Sequence, residues 1–228
     1  MSLYDDLAGS YAKHTMHSVF NAGYERPAVQ GILGDVQGKR VLDAGCASGE
    51  LTRLLLARGA NVVGIDRSEA LLKIARERTG AAAELHCADI SSELAFLQDG
   101  TFDAVVSSLT LHYLQSWDVP LREFFRVLRP GGTFVMSTHH PAMTAEMVED
   151  YFAIALVEET WHIDDRDVRV SFYHRPLEAI TTSMTAAGFS IVRIDEPHLI
   201  APGFVTTELD RRRLTLRPWF LIVAATKG

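Results

Sequence analysis

The stretch VLDAGCASGELTRLLLARGANVVGID, from Val41 to Asp66, carries a glycine-containing turn, a helical pattern and a closing aspartate. A turn of this kind brings bare backbone N–H groups to a helix N-terminus, where a nucleotide or nucleoside can dock. Asp66 falls roughly 20 residues beyond the turn, where an acid accepts both hydroxyls of an unphosphorylated ribose. The small residues narrow the ligand. A dinucleotide fingerprint, G-x-G-x-x-G, keeps side chains away from a pyrophosphate. Counted from Gly45, its second glycine position is Ala47 and its third is Glu50. A methyl group crowds the pyrophosphate, and a carboxylate in the first helical turn repels it. No Gly-Lys-Ser/Thr follows, which removes the P-loop reading too. The pattern suits adenosine without a phosphate chain and disfavours a nicotinamide-dependent oxidoreductase.

At the end of a later apolar run, HCADI supplies Asp89, able to accept from an exocyclic adenine amine, and Ile90, able to pack on the ring. Asp66 could instead cap the next helix, but Ser68 fills that role and leaves the aspartate for the sugar. Histidine is the natural general base, because its pKa lies near neutral pH. The candidates, in order of preference, are His139, His112 and His174, with a structural hydrogen bond at a strand end as the competing account for each. His140 and His162 lie near the same rim. The adjacent His139 and His140 do not suggest a metal, since neighbours on a strand point to opposite faces and no acid or cysteine cluster stands beside them.

These residues need a frame to converge. From Lys39 onward short apolar runs alternate with helical periodicity, the pattern of a parallel sheet with crossover helices. Strands are expected at Arg40–Ala44, Asn61–Ile65, Glu84–Ala88, Phe102–Ser107 and Gly132–Thr138. The first crossover helix puts Leu51, Leu54 and Leu55 on one stripe; the next, capped by Ser68, buries Leu71, Ile74 and Ala75. A third, about Asp118 to Leu128, has Pro120 in its first turn and buries Leu121, Phe124, Phe125 and Leu128. RPGG, Arg129 to Gly132, ends it. A final helix from Leu177 to Ala187 leads into the strand FSIVRI, and WFLIVAAT, Trp219 to Thr226, closes the chain as another.

Two regions break this rhythm within a single expected domain, 1–228. Residues 1–38 read as an N-terminal helical arm with Tyr4, Tyr11 and Tyr24. Residues 141–175 read as an inserted lid: YFAIALVEETWHI and VRVSFYHR flank the polar turn Asp164-Asp165-Arg166-Asp167, so a hairpin is expected. An insertion at a strand's carboxyl end lies beside the ligand crevice of an open α/β sheet. Its aromatics, Tyr151, Phe152, Trp161, Phe172 and Tyr173, suit packing on the sheet, and also a partly apolar substrate or an amine held by cation–π contact.

Composition bounds the partners. The chain has 228 residues, 47% hydrophobic and 22% charged, ordinary for a soluble globular protein. No apolar run reaches the length of a membrane span, and the first residues lack the apolar core of a signal peptide. A net charge of -7 argues against nucleic acid, and the densest basic run, DRRRLTLR from Asp210 to Arg217, reads as a solvated loop before the last strand. Cys46 and Cys87 are expected to be buried and apart, which makes a reducing cytoplasm the expected compartment.

The motifs VLDAGCASG, VVGIDRS, CADI, FDAVVSSLTLHYL and FRVLRPGGTFVMS follow in this order between about Lys39 and His140. Together they resemble the class I S-adenosylmethionine-dependent methyltransferases, most of all the small-molecule branch that includes the ubiquinone and menaquinone methyltransferases. YHRPLEAITTSMTAAGFSIVRIDEP extends the likeness more weakly, and Ala47 stands where many members have glycine. The resemblance implies a Rossmann-like α/β fold: a seven-stranded, mostly parallel sheet with helices on both faces and an antiparallel last strand beside the fifth. It implies S-adenosyl-L-methionine as cofactor, S-adenosyl-L-homocysteine as product, and transfer to an O, N or C atom of a small molecule. It also implies roles. Asp43 and the backbone of Gly45 and Cys46 would hold the amino-acid end, Asp66 the ribose, and Arg67, Asp89 and Ile90 the adenine. The Ser108–Leu109 backbone would approach the methionine moiety, and Tyr11 would close over the cofactor. A non-catalytic cofactor-binding or partner protein of the same fold is the alternative.

Overall fold

The computed structural model describes residues 8–163, 166–198 and 207–228; Tyr4 and the turn residues Asp164 and Asp165 lie outside them. Helix α1 (Ala8–His17), a wider π-type helical turn (Val19–Glu25) and α2 (Arg26–Leu33) make up the N-terminal arm. Then follow β1 (Arg40–Ala44), α3 (Glu50–Ala57), β2 (Asn61–Asp66), α4 (Glu69–Thr79), β3 (Glu84–Cys87), β4 (Phe102–Ser107), α5 (Asp118–Val127) and β5 (Leu128–His139). After a short α6 (Pro141–Thr144) come the strands β6 (Ala155–Ile163) and β7 (Arg166–His174). The chain ends with α7 (Leu177–Ala186), β8 (Phe189–Asp195), α8 (Glu208–Leu216) and β9 (Phe220–Lys227).

Seven strands form one sheet in the order β3-β2-β1-β4-β5-β9-β8. The first five in that order run parallel, and β9 is antiparallel to both β5 and β8. The strands are apolar on both sides because both faces are covered. Leu42, Val63, Val105 and Phe134 pack under α5 and α7, while their neighbours Val41, Val62, Ala104 and Val135 pack under α2 and α3. This period-2 division is what lets one short apolar run feed two layers. Strand order reverses at β1 and β4, so the connections leaving their carboxyl ends diverge and open a crevice.

Several local expectations are corrected. Strand β5 starts at Leu128 rather than Gly132: Leu128 pairs with Phe102, and the ladder resumes at Ala104 with Thr133, so RPGG bulges out between them. Cys87 is exposed, because β3 lies at the edge of the sheet; Cys46 is buried. Most of Asp210–Arg217 is helix rather than loop. Thr207 Oγ1 accepts from the Asp210 N–H at 3.1 Å, acids occupy the first turn, and Leu214 is buried as the anchor. One anchor among arginines leaves almost no periodic signal. Leu54, Ile74 and Phe125 are half-buried, and Thr52, Leu72 and Val127 complete the inner faces of their helices.

Strands β6 and β7 form a separate antiparallel pair. Val168, Val170 and Phe172 alternate on its covered side, where the valines pack against Tyr11, Tyr113 and Trp161. Phe152, by contrast, is 78% exposed and does no packing on the sheet. Among the described residues, no helix is long and apolar enough to cross a membrane.

Candidate functional site

A cavity of about 350 Å³ lies over the carboxyl ends of β1 and β4, walled by the N-terminal arm on one side and by β7 on another. Every residue that the sequence assigned to the cofactor lines it. Tyr11 comes from the arm, Asp43, Gly45 and Cys46 from the end of β1, and Asp66 and Arg67 from the end of β2. Asp89 and Ile90 follow β3, and Ser108 and Leu109 follow β4.

The turn after β1 is pinned from β2. Gly45 and Cys46 both donate their N–H groups to the Ile65 carbonyl, at 2.8 and 2.9 Å. The Asp66 carboxylate accepts from the Ala47 N–H through Oδ2 and from the Ser68 N–H through Oδ1, each at 2.9 Å. Ala47 has φ of 47°, a left-handed conformation that costs an alanine about 1–2 kcal/mol, so this hydrogen bond holds a strained peptide. Each carboxylate oxygen keeps a further lone pair for a ligand. Ser68 Oγ accepts from the Leu71 N–H at 3.3 Å and is the expected N-cap. Glu50, in the first turn of α3, lines the cavity and pairs with Arg53 at 2.7 Å and Arg78 at 3.8 Å. It keeps a carboxylate where a pyrophosphate would approach.

Gly45 has φ of 87°, and a Cβ there would lie 2.3 Å from the Thr110 side chain. The two loops touch with no room for a methyl group. Gly45→Ala is therefore expected to cost about 1–3 kcal/mol, lowering the melting midpoint by several degrees and weakening cofactor binding about tenfold. Thermal scans and calorimetry check both.

At the other end, Asp43 is buried and accepts from Thr52 Oγ1 at 2.6 Å. Burial pushes its pKa up to about 7; the Thr52 hydrogen bond and Arg26 oppose the rise, and the Asp66 and Glu25 carboxylates add to it. Arg26 and Glu25 are what the sequence reading missed. Arg26 lines the cavity and donates to the Thr15 carbonyl at 3.2 Å. Glu25 is 1% exposed, and its Oε1 accepts from Ser108 Oγ at 2.8 Å and from Ser137 Oγ. Ser137 Oγ in turn accepts from the Leu109 N–H at 2.9 Å, and Leu109 also has φ of 47°. Glu25 thus braces the Ser108–Leu109 turn. The signal was a Glu-Arg pair next to Tyr24 in an arm helix, where a charge run reads by default as a solvated face. At the far end Asp89 Oδ1 accepts from the N–H and Oγ of Ser91, at 2.8 and 2.7 Å, beside the buried Ile90.

None of His139, His112 and His174 lines this cavity. His174 Nδ1 bonds Thr144 Oγ1 at 2.6 Å and its Nε2 bonds the Tyr151 carbonyl at 2.9 Å. Both ring nitrogens are spent on ties between the hairpin and the chain that leads into it. His140 caps α6 through the Ala142 N–H and pairs with Glu196 at 2.8 Å. His112 and His139 behave differently. Their rings stack at 4.1 Å with 13° between planes. Burial, and to a lesser degree His139, holds the His112 pKa well below the usual value, and burial alone lowers that of His139 to about 4.

A family model described as a methyltransferase domain matches residues 42–136. The chain is 34% identical over 138 residues to a demethylmenaquinone methyltransferase of Clavibacter sepedonicus, covering 59% of this chain and 56% of that protein. It is 35% identical over 113 residues to a ubiquinone biosynthesis O-methyltransferase of Bordetella avium, covering 48% of this chain and 46% of that one. The chain spans about half the length of these two relatives. The crystal structure of an S-adenosylmethionine dependent methyltransferase from Mesorhizobium loti is similar with a TM-score of 0.69 at 27% identity, over 88% of this chain and 96% of that chain.

Proposed function

The chain belongs to the class I S-adenosylmethionine-dependent methyltransferases, and on that premise we propose that it moves the methyl group of S-adenosyl-L-methionine to a small, partly apolar acceptor. The observation that carries this reading is the cavity's own chemistry: carboxylates near both ends, bare backbone at Gly45 between them, and Glu50 against a phosphate chain. That lining fits a cationic, phosphate-free nucleoside. Asp66 would take the ribose hydroxyls, Asp89 and Ile90 the adenine, with Arg67 at the rim. Asp43 and Arg26 would face the ammonium and carboxylate of the amino-acid end. Tyr11 and β7 would cover the cofactor from the side on which the acceptor arrives.

The bound sulfonium supplies an already activated methyl group. The protein's share is alignment and exclusion of water. Two relatives are named as a demethylmenaquinone methyltransferase and a ubiquinone biosynthesis O-methyltransferase, which makes a ring-bearing acceptor the first class to try here. The free thiols Cys46 and Cys87 fit a reducing cytoplasm. Calorimetry with S-adenosylmethionine, S-adenosylhomocysteine and NAD tests the reading: the first two are expected to bind and NAD is not. Binding of NAD without the sulfonium would overturn it. Tight binding with no transfer of labelled methyl to any phenol, amine or quinol precursor would favour a non-catalytic member of the fold.

A further inference from the structure

We propose that His112 and His139 form the seat of the acceptor, and that the acceptor is a planar aromatic alcohol whose hydroxyl proton passes to this imidazole pair. The proposal rests on the methyl-transfer reading above and names its substrate class. Both ring nitrogens of His112 and Nδ1 of His139 are buried without a hydrogen-bond partner among the described residues. A buried polar atom left unpaired costs about 1–3 kcal/mol. Apolar rings would fill the same space at no such cost. Concentrating unpaired nitrogens in two touching rings points to a ligand that completes them.

Position agrees. The Tyr113 ring packs on His112 at 4.3 Å and itself lines the cofactor cavity, so the pair lies one side chain behind the wall. The wall there is the turn after β4, where Ser108 and Leu109 face the cavity. Phe172 of β7 stands edge-on to His139 at 4.3 Å and to His112 at 6.1 Å, and Phe220 stacks beside His139 at 5.9 Å. On this proposal the acceptor reaches the pair past Tyr113, the side chain that separates it from the cofactor cavity.

The chemistry of this box selects its guest. Aromatic rings on several sides suit a flat ring. Burial keeps both imidazoles neutral near pH 7, so they offer hydrogen-bond acceptors but no charge for a carboxylate or phosphate. His139 is the titratable group that acts on His112, the Tyr113 ring packs against His112, and Phe172 and Phe220 bring no titratable group from β7 and β9. As the acceptor oxygen bonds to the methyl carbon, the C–S bond breaks and its electron pair stays on sulfur. The hydroxyl proton moves to an imidazole nitrogen and from there to solvent. So weak a base takes the proton while the C–O bond forms, when the oxygen becomes acidic, and not before.

The test uses catechol as probe and its dimethyl ether as control, with protein saturated in S-adenosylhomocysteine. Catechol is expected to bind at least tenfold more tightly than the ether and to shift the ¹⁵N resonances of the His112 and His139 rings. His112→Phe is expected to raise the melting midpoint, leave S-adenosylhomocysteine affinity unchanged and weaken catechol at least tenfold. His139→Phe repeats the test from the other ring. Catechol binding that is absent in the wild type, matched by the ether, or unchanged in both variants would overturn the proposal. A lowered midpoint with catechol binding retained would mark the pair as ordinary core packing. Failure of S-adenosylhomocysteine itself to bind would instead remove the cofactor reading.

Discussion

Asp66→Ala is expected to weaken S-adenosylhomocysteine binding by about a few hundredfold or more, the largest loss from any single cofactor contact. Hydrogen bonds from two hydroxyls to one carboxylate are worth about 1.5–3 kcal/mol each, and every 1.4 kcal/mol is tenfold in affinity. A second loss adds to this. Asp66 accepts the Ala47 N–H, and Ala47 sits at φ of 47°. Without the carboxylate the strained Ala47 peptide loses its acceptor, and the turn is held only by the Gly49 N–H on the Cys46 carbonyl and by the Ile65 carbonyl. Asp66→Asn separates the two effects. It keeps one acceptor oxygen for the turn but loses the charge and replaces the other oxygen with a donor. Its expected loss is intermediate, with a smaller fall in melting midpoint than the alanine variant. Calorimetry that shows less than a tenfold loss for Asp66→Ala would leave the aspartate a structural clamp and nothing more.

How much of this was readable in advance follows from how far apart the partners lie. Asp66, Ser68, Asp89 and the turn at Gly45 are local: each is fixed by a strand end and the helix start next to it, and a short window of sequence contains both. The strand ladder was legible for the same reason, since the short apolar runs of β1, β2 and β4 report burial on both faces. Glu25 was not legible, because its partners Ser108 and Ser137 are 83 and 112 residues away. The histidines show the same limit. All stand near strand ends, as expected, yet what distinguishes them is set by distant contacts. His174 is consumed by Thr144, 30 residues earlier, while His112 and His139 are left facing one another. Periodicity places a side chain on an edge or face; only tertiary packing decides whether its polar atoms are already spent.

Cofactor affinity is expected to rise about tenfold per pH unit between pH 5 and 7 and to level off above. The reason is Asp43. Its carboxyl, with a pKa raised to about 7 in the ligand-free protein, is protonated over that range, yet an α-ammonium can pair only with the carboxylate. Binding must then expel one proton. The same shift acts on folding with the opposite sign. A carboxyl whose folded-state pKa exceeds its unfolded value stabilises the fold below about pH 4, and that contribution is lost as pH rises through about 7. The loss is at most about 1.4 kcal/mol per pH unit. From this group the ligand-free protein should unfold more easily at pH 7.5 than at pH 5.5, while it binds more tightly. Denaturant titrations follow the first slope. Calorimetry of S-adenosylhomocysteine in buffers of different ionisation heat follows the second and counts the proton. Asp43→Asn should flatten both. A one-proton slope that survives in that variant would assign the linkage elsewhere, with Glu25 and Asp66, whose pKa values burial also raises, next in line. The Asp66 and Glu25 carboxylates add to the cost of ionising Asp43 in the ligand-free protein, with Arg26 the buried counter-charge of Asp43 and Glu25. On the proposed reading a positively charged donor would let Asp43 ionise, so the acids that burial makes costly in the ligand-free protein would be the ones that draw the sulfonium into the cavity.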